Sequence, residues 1–134
     1  MANVLYKKAK EKFLSGAINL LTSDIKVALV DAADYTYSAS HEYFSSVPAG
    51  AIVSTSGNLT NKTVTDGVFD ADDVTLTTVT GDVSEALVVY KYTGSAATSP
   101  LIAYIDTASG LPITPNGGNI VIQWDAGVNK IFAL

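Results

Sequence analysis

A single amphipathic helix at the N-terminus, followed only by short β-type segments, constrains the fold more than any other feature of this chain. One apolar stripe with i, i+4 and i+8 spacing predicts the helix over residues 4–15: Leu5, Ala9 and Phe13. Asn3 is the predicted N-cap, and Gly16 is the predicted C-terminal stop. Because parallel strands need helical crossovers and no second helix is predicted, the later strands are expected to pair antiparallel.

The rest of the chain consists of apolar runs separated by turn residues. β-branched and aromatic residues alternate with breakers such as Asp66-Gly67 and Gly81-Asp82. Strands are predicted at residues 25–31, 51–56, 59–66, 74–79, 83–92, 101–106, 119–125 and 128–134. We therefore predict a mainly β fold, an antiparallel β-sandwich or small barrel of about seven to eight strands with one N-terminal α-helix.

Two of these predicted strands are apolar on both faces: the strand 83–92, over its residues 85–92, and the strand 119–125. In the first, Leu87 and Val89 share one face while Val88 and Tyr90 share the other. A sandwich strand normally turns one face to water. We therefore expect both strands to lie beneath the N-terminal helix or at a contact between subunits.

Length and composition predict one domain over residues 1–134, with a helix in residues 1–16 packed on the sheet and a sandwich in residues 25–134. Only 16% of the residues are charged, against about 25% in typical soluble domains. A surface so poor in ions repels its neighbours weakly. It therefore suits a subunit packed against copies of itself or against a partner.

The charge pattern argues against nucleic acid and membrane partners. The chain has no Arg and a net charge of −5, whereas phosphate recognition relies on positive patches and guanidinium groups. The one basic cluster lies in the predicted helix and reads as a solvated face: Lys7, Lys8, Lys10 and Lys12. No apolar run approaches the roughly eighteen residues of a membrane span, and the N-terminus lacks a signal-like apolar region, so a soluble, cytosolically made chain is expected.

No set of residues in the sequence suggests catalysis. His41 is the only histidine and there is no Cys, so conventional zinc ligands are too few. Asp70, Asp72 and Asp73 read as a solvated acidic turn, with an ion at this loop left open. Glu85 reads as an outward strand position. We therefore expect no enzyme activity, no catalytic residues, no metal site and no cofactor.

The irregular segment of residues 32–50 is the predicted interface. It contains four aromatic residues among few charges: Tyr35, Tyr37, Tyr43 and Phe44. Such residues are enriched in the cores of interfaces, and long loops project from a sandwich. We predict that these side chains contact a neighbouring subunit, with closure of one end of the core as the alternative.

Several stretches resemble a group of small proteins encoded among the structural genes of tailed bacteriophages. They are ANVLYKKAK (2–10), IKVALV (25–30), ALVVYK (86–91), LIAYID (101–106) and the ending from WD (124–125) to IFAL (131–134). The resemblance covers nearly the whole chain and is a pattern of packing residues without an active-site motif. No functional residue is carried over from it.

What the resemblance implies is a virion component, made in the host cytoplasm. The leading expectation is a capsid decoration or cement subunit that forms a homo-oligomer, with a trimer favoured, and binds the major capsid protein or other virion subunits. A tail or neck adaptor is the first alternative. The second is a carbohydrate- or receptor-binding module, for which stacking surfaces are available: Tyr35, Tyr37, Tyr43 and Trp124.

Overall fold

The computed structural model of the protein describes residues 3–127 and 130–134. It contains one α-helix, α1 (Lys7–Ser15), and three short 3₁₀ turns at Phe44–Ser46, Ala49–Ala51 and Ala96–Thr98. The strands are β1 (Val4–Leu5), β2 (Ile25–Val30), β3 (Ile52–Thr55), β4 (Thr63–Thr65), β5 (Val68–Asp70), β6 (Val74–Leu76), β7 (Ala86–Lys91), β8 (Leu101–Ile105), β9 (Ile120–Ile122) and β10 (Phe132–Ala133).

The strands form one large and two small antiparallel sheets. The large sheet has five strands in the order β1-β8-β7-β2-β3. The smaller sheets have the orders β10-β5-β4 and β6-β9, and every strand pair is antiparallel. The predicted mainly β, antiparallel fold with one N-terminal helix is thus confirmed, and no barrel closes among the described residues.

The structure contains ten strands in its described parts, where about seven to eight were predicted. Part of the difference lies at Asp66-Gly67, whose φ angles of 52° and 77° form a two-residue hairpin turn between β4 and β5. Both residues have positive φ, the backbone of the Asp-Gly hairpin turn. The sequence indicates this turn, but strand β5 after it has only three residues, too few to show the alternation of apolar and polar residues that predicts a strand.

The five-stranded sheet is covered on both faces. Ile25, Val27 and Leu29 of β2 pack with the residues of the smaller sheets in one apolar cluster. Val30 and Val88 belong to a second cluster on the opposite face, beneath residues of the 32–51 region. The two-faced apolar pattern of β7 is therefore explained within the chain, because residues that follow β2 fold back over the sheet.

The N-terminal helix begins later than predicted. Val4 and Leu5 pair with β8 as a strand, and Tyr6 occupies the N-cap position without a side-chain cap. Asn3 is not the N-cap: its Oδ1 accepts hydrogen bonds from the backbone N–H groups of Asp106 and Thr107, each at 3.0 Å. The prediction at this end was wrong because the asparagine side chain bonds to the loop after β8 instead.

The C-terminal end of the helix agrees with the prediction. Gly16 adopts the left-handed conformation with φ of 79°, and its N–H points to the carbonyls of Lys12 and Phe13. Of the predicted packing stripe, Ala9 is fully buried against the sheet. Phe13 is half-buried and stacks on Phe132, with ring centroids 5.9 Å apart. Leu5 also packs into the core, but from β1 rather than from the helix.

Candidate functional site

The predicted interface residues divide into a buried pair and a half-buried pair. Tyr35 is only 2% exposed, and Phe44 is buried with its ring stacked on Tyr90 at a centroid distance of 4.0 Å. Tyr37 and Tyr43 remain partly exposed. The structure thus uses Tyr35 and Phe44 to cover the five-stranded sheet. The contact with a neighbouring subunit stays a prediction, and the area available for it comes from Tyr37 and Tyr43.

A chain of hydrogen bonds fastens this segment to the N-terminus. The hydroxyls of Tyr6 and Tyr35 lie 2.8 Å apart, and the Tyr35 hydroxyl lies 2.9 Å from Nδ1 of His41. Burial raises the pKa of both phenols above the usual range, so both stay protonated at neutral pH. His41 lies in the loop, half-buried, with its ring bonded to the buried Tyr35.

The two half-buried tyrosines also have partners within the chain. Tyr37 packs between Tyr6 and Tyr104, with a centroid distance of 5.1 Å to each. The ammonium group of Lys12 lies 5.3 Å from the centroid of the Tyr43 ring and bridges to Glu42 at 3.0 Å. These contacts tie residues 37–43 to both the helix and the sheet.

The acidic turn predicted at residues 70–73 holds loops together. Oδ2 of Asp72 accepts a hydrogen bond from the Asn61 amide at 2.6 Å, and Oδ1 of Asp73 accepts one from the backbone N–H of Trp124 at 2.9 Å. The Trp124 indole N–H donates to the Asp72 carbonyl at 3.0 Å. Asp70 pairs with Thr63 in the β4–β5 ladder. The three residues thus serve separate contacts.

A different trio of carboxylates lies close together. Oxygens of Asp31, Asp34 and Asp82 lie within 4.8 Å of one another. Asp31 is buried and accepts a hydrogen bond from the Ala33 N–H at 2.9 Å. Nearby, Glu85 accepts one from the Ala32 N–H at 2.8 Å. Glu85 is half-buried, so its prediction as an outward position was wrong. The sequence did not reveal this cluster because Asp82 is far from the other two in the chain.

A groove with a volume of about 1240 Å³ lies between the N-terminal elements and the C-terminal strands. Its lining includes apolar residues of the five-stranded sheet: Leu5, Leu87, Ala103 and Ile105. Phe13 and Leu14 of α1 line it as well, together with Trp124 and Phe132. The floor of the groove is therefore apolar, and its walls come from residues near the N-terminus and residues near the C-terminus.

The most exposed large apolar side chains of the described chain all line this groove. Leu14 is 90% exposed, Leu134 68% and Val121 61%. A shallower depression adjoins the groove at Phe13 and includes two further exposed residues, Leu21 and Val64. We call this continuous surface, defined by Leu14, Leu21, Val64, Val121 and Leu134, the apolar face. Exposed apolar surface gathered in one place marks interaction sites.

The apolar face was missed at the sequence level, although one signal pointed to it. Leu14 lies one residue past the stripe that ends at Phe13, so on a helix it is rotated by about 100° away from the packed side. The predicted strand 119–125 is apolar on both faces, and in the structure Ile122 is buried while Val121 on the opposite face is exposed. The chain itself therefore does not cover the face that bears Val121. What could not be predicted is that these residues come together.

The groove has the character of a binding surface. The charged residues in its lining are Lys10, Lys130 and Asp125, among predominantly apolar neighbours.

In the described parts of the chain, no helix has the length and apolarity that crossing a membrane requires. No protein-family model matches the sequence, and a comparison with curated proteins finds no match either.

Proposed function

We propose that this protein is a virion structural protein of a tailed bacteriophage, most concretely a capsid decoration or cement subunit that stabilises the head. The observation that carries the proposal is the apolar face. Five exposed apolar side chains around one groove and its adjoining depression are unfavourable on a chain that stays alone in water. They suit a chain that works as a subunit of an assembly, in which neighbouring subunits cover them.

Two further properties support an assembly subunit. The surface is poor in charge, so copies packed side by side repel each other weakly. The five-stranded sheet is buried on both faces by the chain's own residues, which gives a rigid body whose binding surfaces need little ordering on contact. The sequence resemblance to phage structural proteins then favours a virion as that assembly.

A tail or neck adaptor is the alternative that shares these features, since it too is a packed virion subunit. A carbohydrate- or receptor-binding module is less favoured. Of the stacking residues considered for it, Tyr35 is buried, Tyr37 packs between two other tyrosines, and the Trp124 indole N–H bonds to the Asp72 carbonyl. Flat, exposed aromatic platforms are what sugar stacking needs.

Deletion of the gene from its phage tests the proposal. For a cement subunit, heads should still assemble and package DNA, and the particles should release DNA at a lower temperature than complete virions. Supplying the purified protein to the deficient particles should restore their heat resistance. Heads that form without attached tails would instead indicate the adaptor. Particles of unchanged composition and heat resistance would overturn the virion role.

A further inference from the structure

We propose that Asn116 is a site of spontaneous deamidation, and that the folded turn around it holds this reaction back. Asn116 is the only asparagine in the sequence that is followed by a glycine, Gly117. Glycine has no side chain to hinder the approach of its backbone nitrogen to the preceding amide, so this asparagine forms a cyclic imide more readily than the others. Asn116 is also exposed, so water can reach its side chain.

The reaction needs only the chain and water. The backbone nitrogen of Gly117 loses its proton to the solvent and attacks Cγ of Asn116. An N–Cγ bond forms, and the Cγ–Nδ2 bond breaks with release of ammonia, which takes up a proton. Water then opens the imide at one of its two carbonyls. Opening at one carbonyl gives aspartate, and opening at the other gives isoaspartate, whose main chain runs through Cβ and Cγ and is longer by one atom.

Two hydrogen bonds hold the reacting groups apart from this chemistry in the folded turn. The Gly117 N–H donates to the Val79 carbonyl at 2.7 Å, and Oδ1 of Asn116 accepts a hydrogen bond from the Gly118 N–H at 2.9 Å. The Gly117 nitrogen must lose its proton and turn toward Cγ before it attacks, and its bond to Val79 opposes both steps. Asn116 should therefore react only when the turn opens.

The turn is anchored to a buried residue of the neighbouring segment. Val79 is only 2% exposed, and its own N–H donates to the Gly118 carbonyl at 3.0 Å. Oδ1 of Asn119 adds a further bond, which it accepts from the Thr78 N–H at 3.1 Å. Opening the turn requires these bonds to break together. The reaction in the folded protein is then slowed by the same factor as the population of the open turn.

The two products should differ in their effect on the fold. Aspartate keeps the side-chain oxygen that accepts the bond from Gly118, so the turn can close again. Isoaspartate adds an atom to the main chain before Gly117, so the bonds on either side of Val79 can no longer form together. Strand β9 begins shortly after this turn, and its residues Val121 and Ile122 line the groove. Isoaspartate at this position therefore loosens one wall of the groove.

Peptide mapping by mass spectrometry tests the site and its protection. The purified protein is kept at pH 8, either folded or unfolded in urea. In the unfolded chain Asn116 should convert faster than every other asparagine, and in the folded protein its conversion should be at least about tenfold slower. Equal rates in the two states would overturn the protection. An Asn116 that persists in the unfolded chain as long as the other asparagines would overturn the site.

Asn119→Ala tests whether this turn controls the reaction. Loss of the bond to Thr78 should speed the conversion of Asn116 in the folded protein by about threefold or more. Asn58→Ala, at an exposed asparagine of another loop, is the matched control and should leave the rate unchanged. A urea titration of each variant gives its fraction of unfolded chain. A rise in rate no greater than the rise in this fraction, or an equal rise in the control, would refute the role of the turn.

Asn116→Asp separates the added charge from the altered main chain. This variant should unfold at about the same urea concentration as the unsubstituted protein, because the side-chain oxygen that caps the turn is kept. Protein that has been unfolded until it contains isoaspartate, then refolded and separated by chromatography, should unfold at a lower urea concentration. If the isoaspartate form were as stable as the Asp variant, the effect on the turn and on the groove wall would be wrong.

Discussion

At the scale of single residues, hydrogen bonds between buried phenols hold the irregular segment in place. Tyr6 comes from the turn before α1, and Tyr35 comes from the segment that covers the sheet. A buried hydroxyl is costly unless it is bonded, so each phenol secures the position of the other. His41 extends this chain to the half-buried edge of the segment.

Replacing Tyr35 with Phe should therefore destabilise the fold. The change removes the bonds to Tyr6 and His41 and leaves the Tyr6 hydroxyl buried without its partner, which costs about 1–3 kcal/mol. Urea unfolding measures this free energy. Tyr92→Phe keeps an exposed ring and removes a solvated hydroxyl, so it should change stability by less than about 0.5 kcal/mol. Equal stability of the two variants would contradict the role given to the phenol pair.

Alkaline pH should destabilise the fold through the buried tyrosines. Burial raises the pKa of Tyr90 to about 12, against about 10 in an unfolded chain. The folded state keeps a proton that the unfolded state loses, so this contribution is complete below pH 10 and is lost as pH rises through about 12. The loss approaches about 1.4 kcal/mol per pH unit for each such group.

Tyr90→Phe isolates this contribution. Its unfolding free energy, measured in urea at pH 9, 10 and 11, should fall less steeply with pH than that of the unsubstituted protein. The slope should not vanish, since burial also raises the pKa of Tyr6 and Tyr104. Identical slopes for the two proteins would show that the Tyr90 phenol titrates alike in the folded and unfolded states.

At the scale of secondary structure, the end of α1 depends on a left-handed residue. Gly16 has φ of 79°, a conformation in which a Cβ is strained. Gly16→Ala should cost about 1 kcal/mol even though no atom lies within 4 Å of the added carbon. Gly50 has equally open surroundings without the positive φ, so Gly50→Ala is the matched control.

Thermal unfolding of both variants checks this prediction. Gly16→Ala should lower the melting temperature, whereas Gly50→Ala should leave it unchanged or raise it slightly through the unfolded state. If both substitutions had the same effect, the cost at Gly16 would come from something other than its backbone conformation.

The elements that could be predicted from the sequence are those with a repeated local signal. Strands β2, β7 and β8 are long and contain β-branched residues, and Gly16 follows directly on the apolar stripe of the helix. These strands and the end of the helix could be predicted because neighbouring residues alone determine them. β1 has two residues, and the role of Asn3 depends on a loop some hundred positions away. The same limit applies to the groove, because Leu14, Val121 and Leu134 meet only once the chain is folded.

At the scale of the whole molecule, the irregular segment covers the core, whereas the apolar face is exposed to a partner. Most of the aromatic side chains in residues 32–51 pack over the five-stranded sheet. The exposed apolar surface lies elsewhere, around the groove beside α1. Contact with other subunits is therefore expected chiefly at the groove, with Tyr37 and Tyr43 as a secondary surface.

The number of copies in purified virions tests the central claim most directly. Quantitative mass spectrometry against the major capsid protein gives this ratio without any assumption about the contact. A cement subunit predicts a copy number comparable to that of the major capsid protein, because it repeats over the whole shell. Absence from the particles would contradict the account, and a copy number matching a single ring would replace the capsid role with that of a neck or tail adaptor.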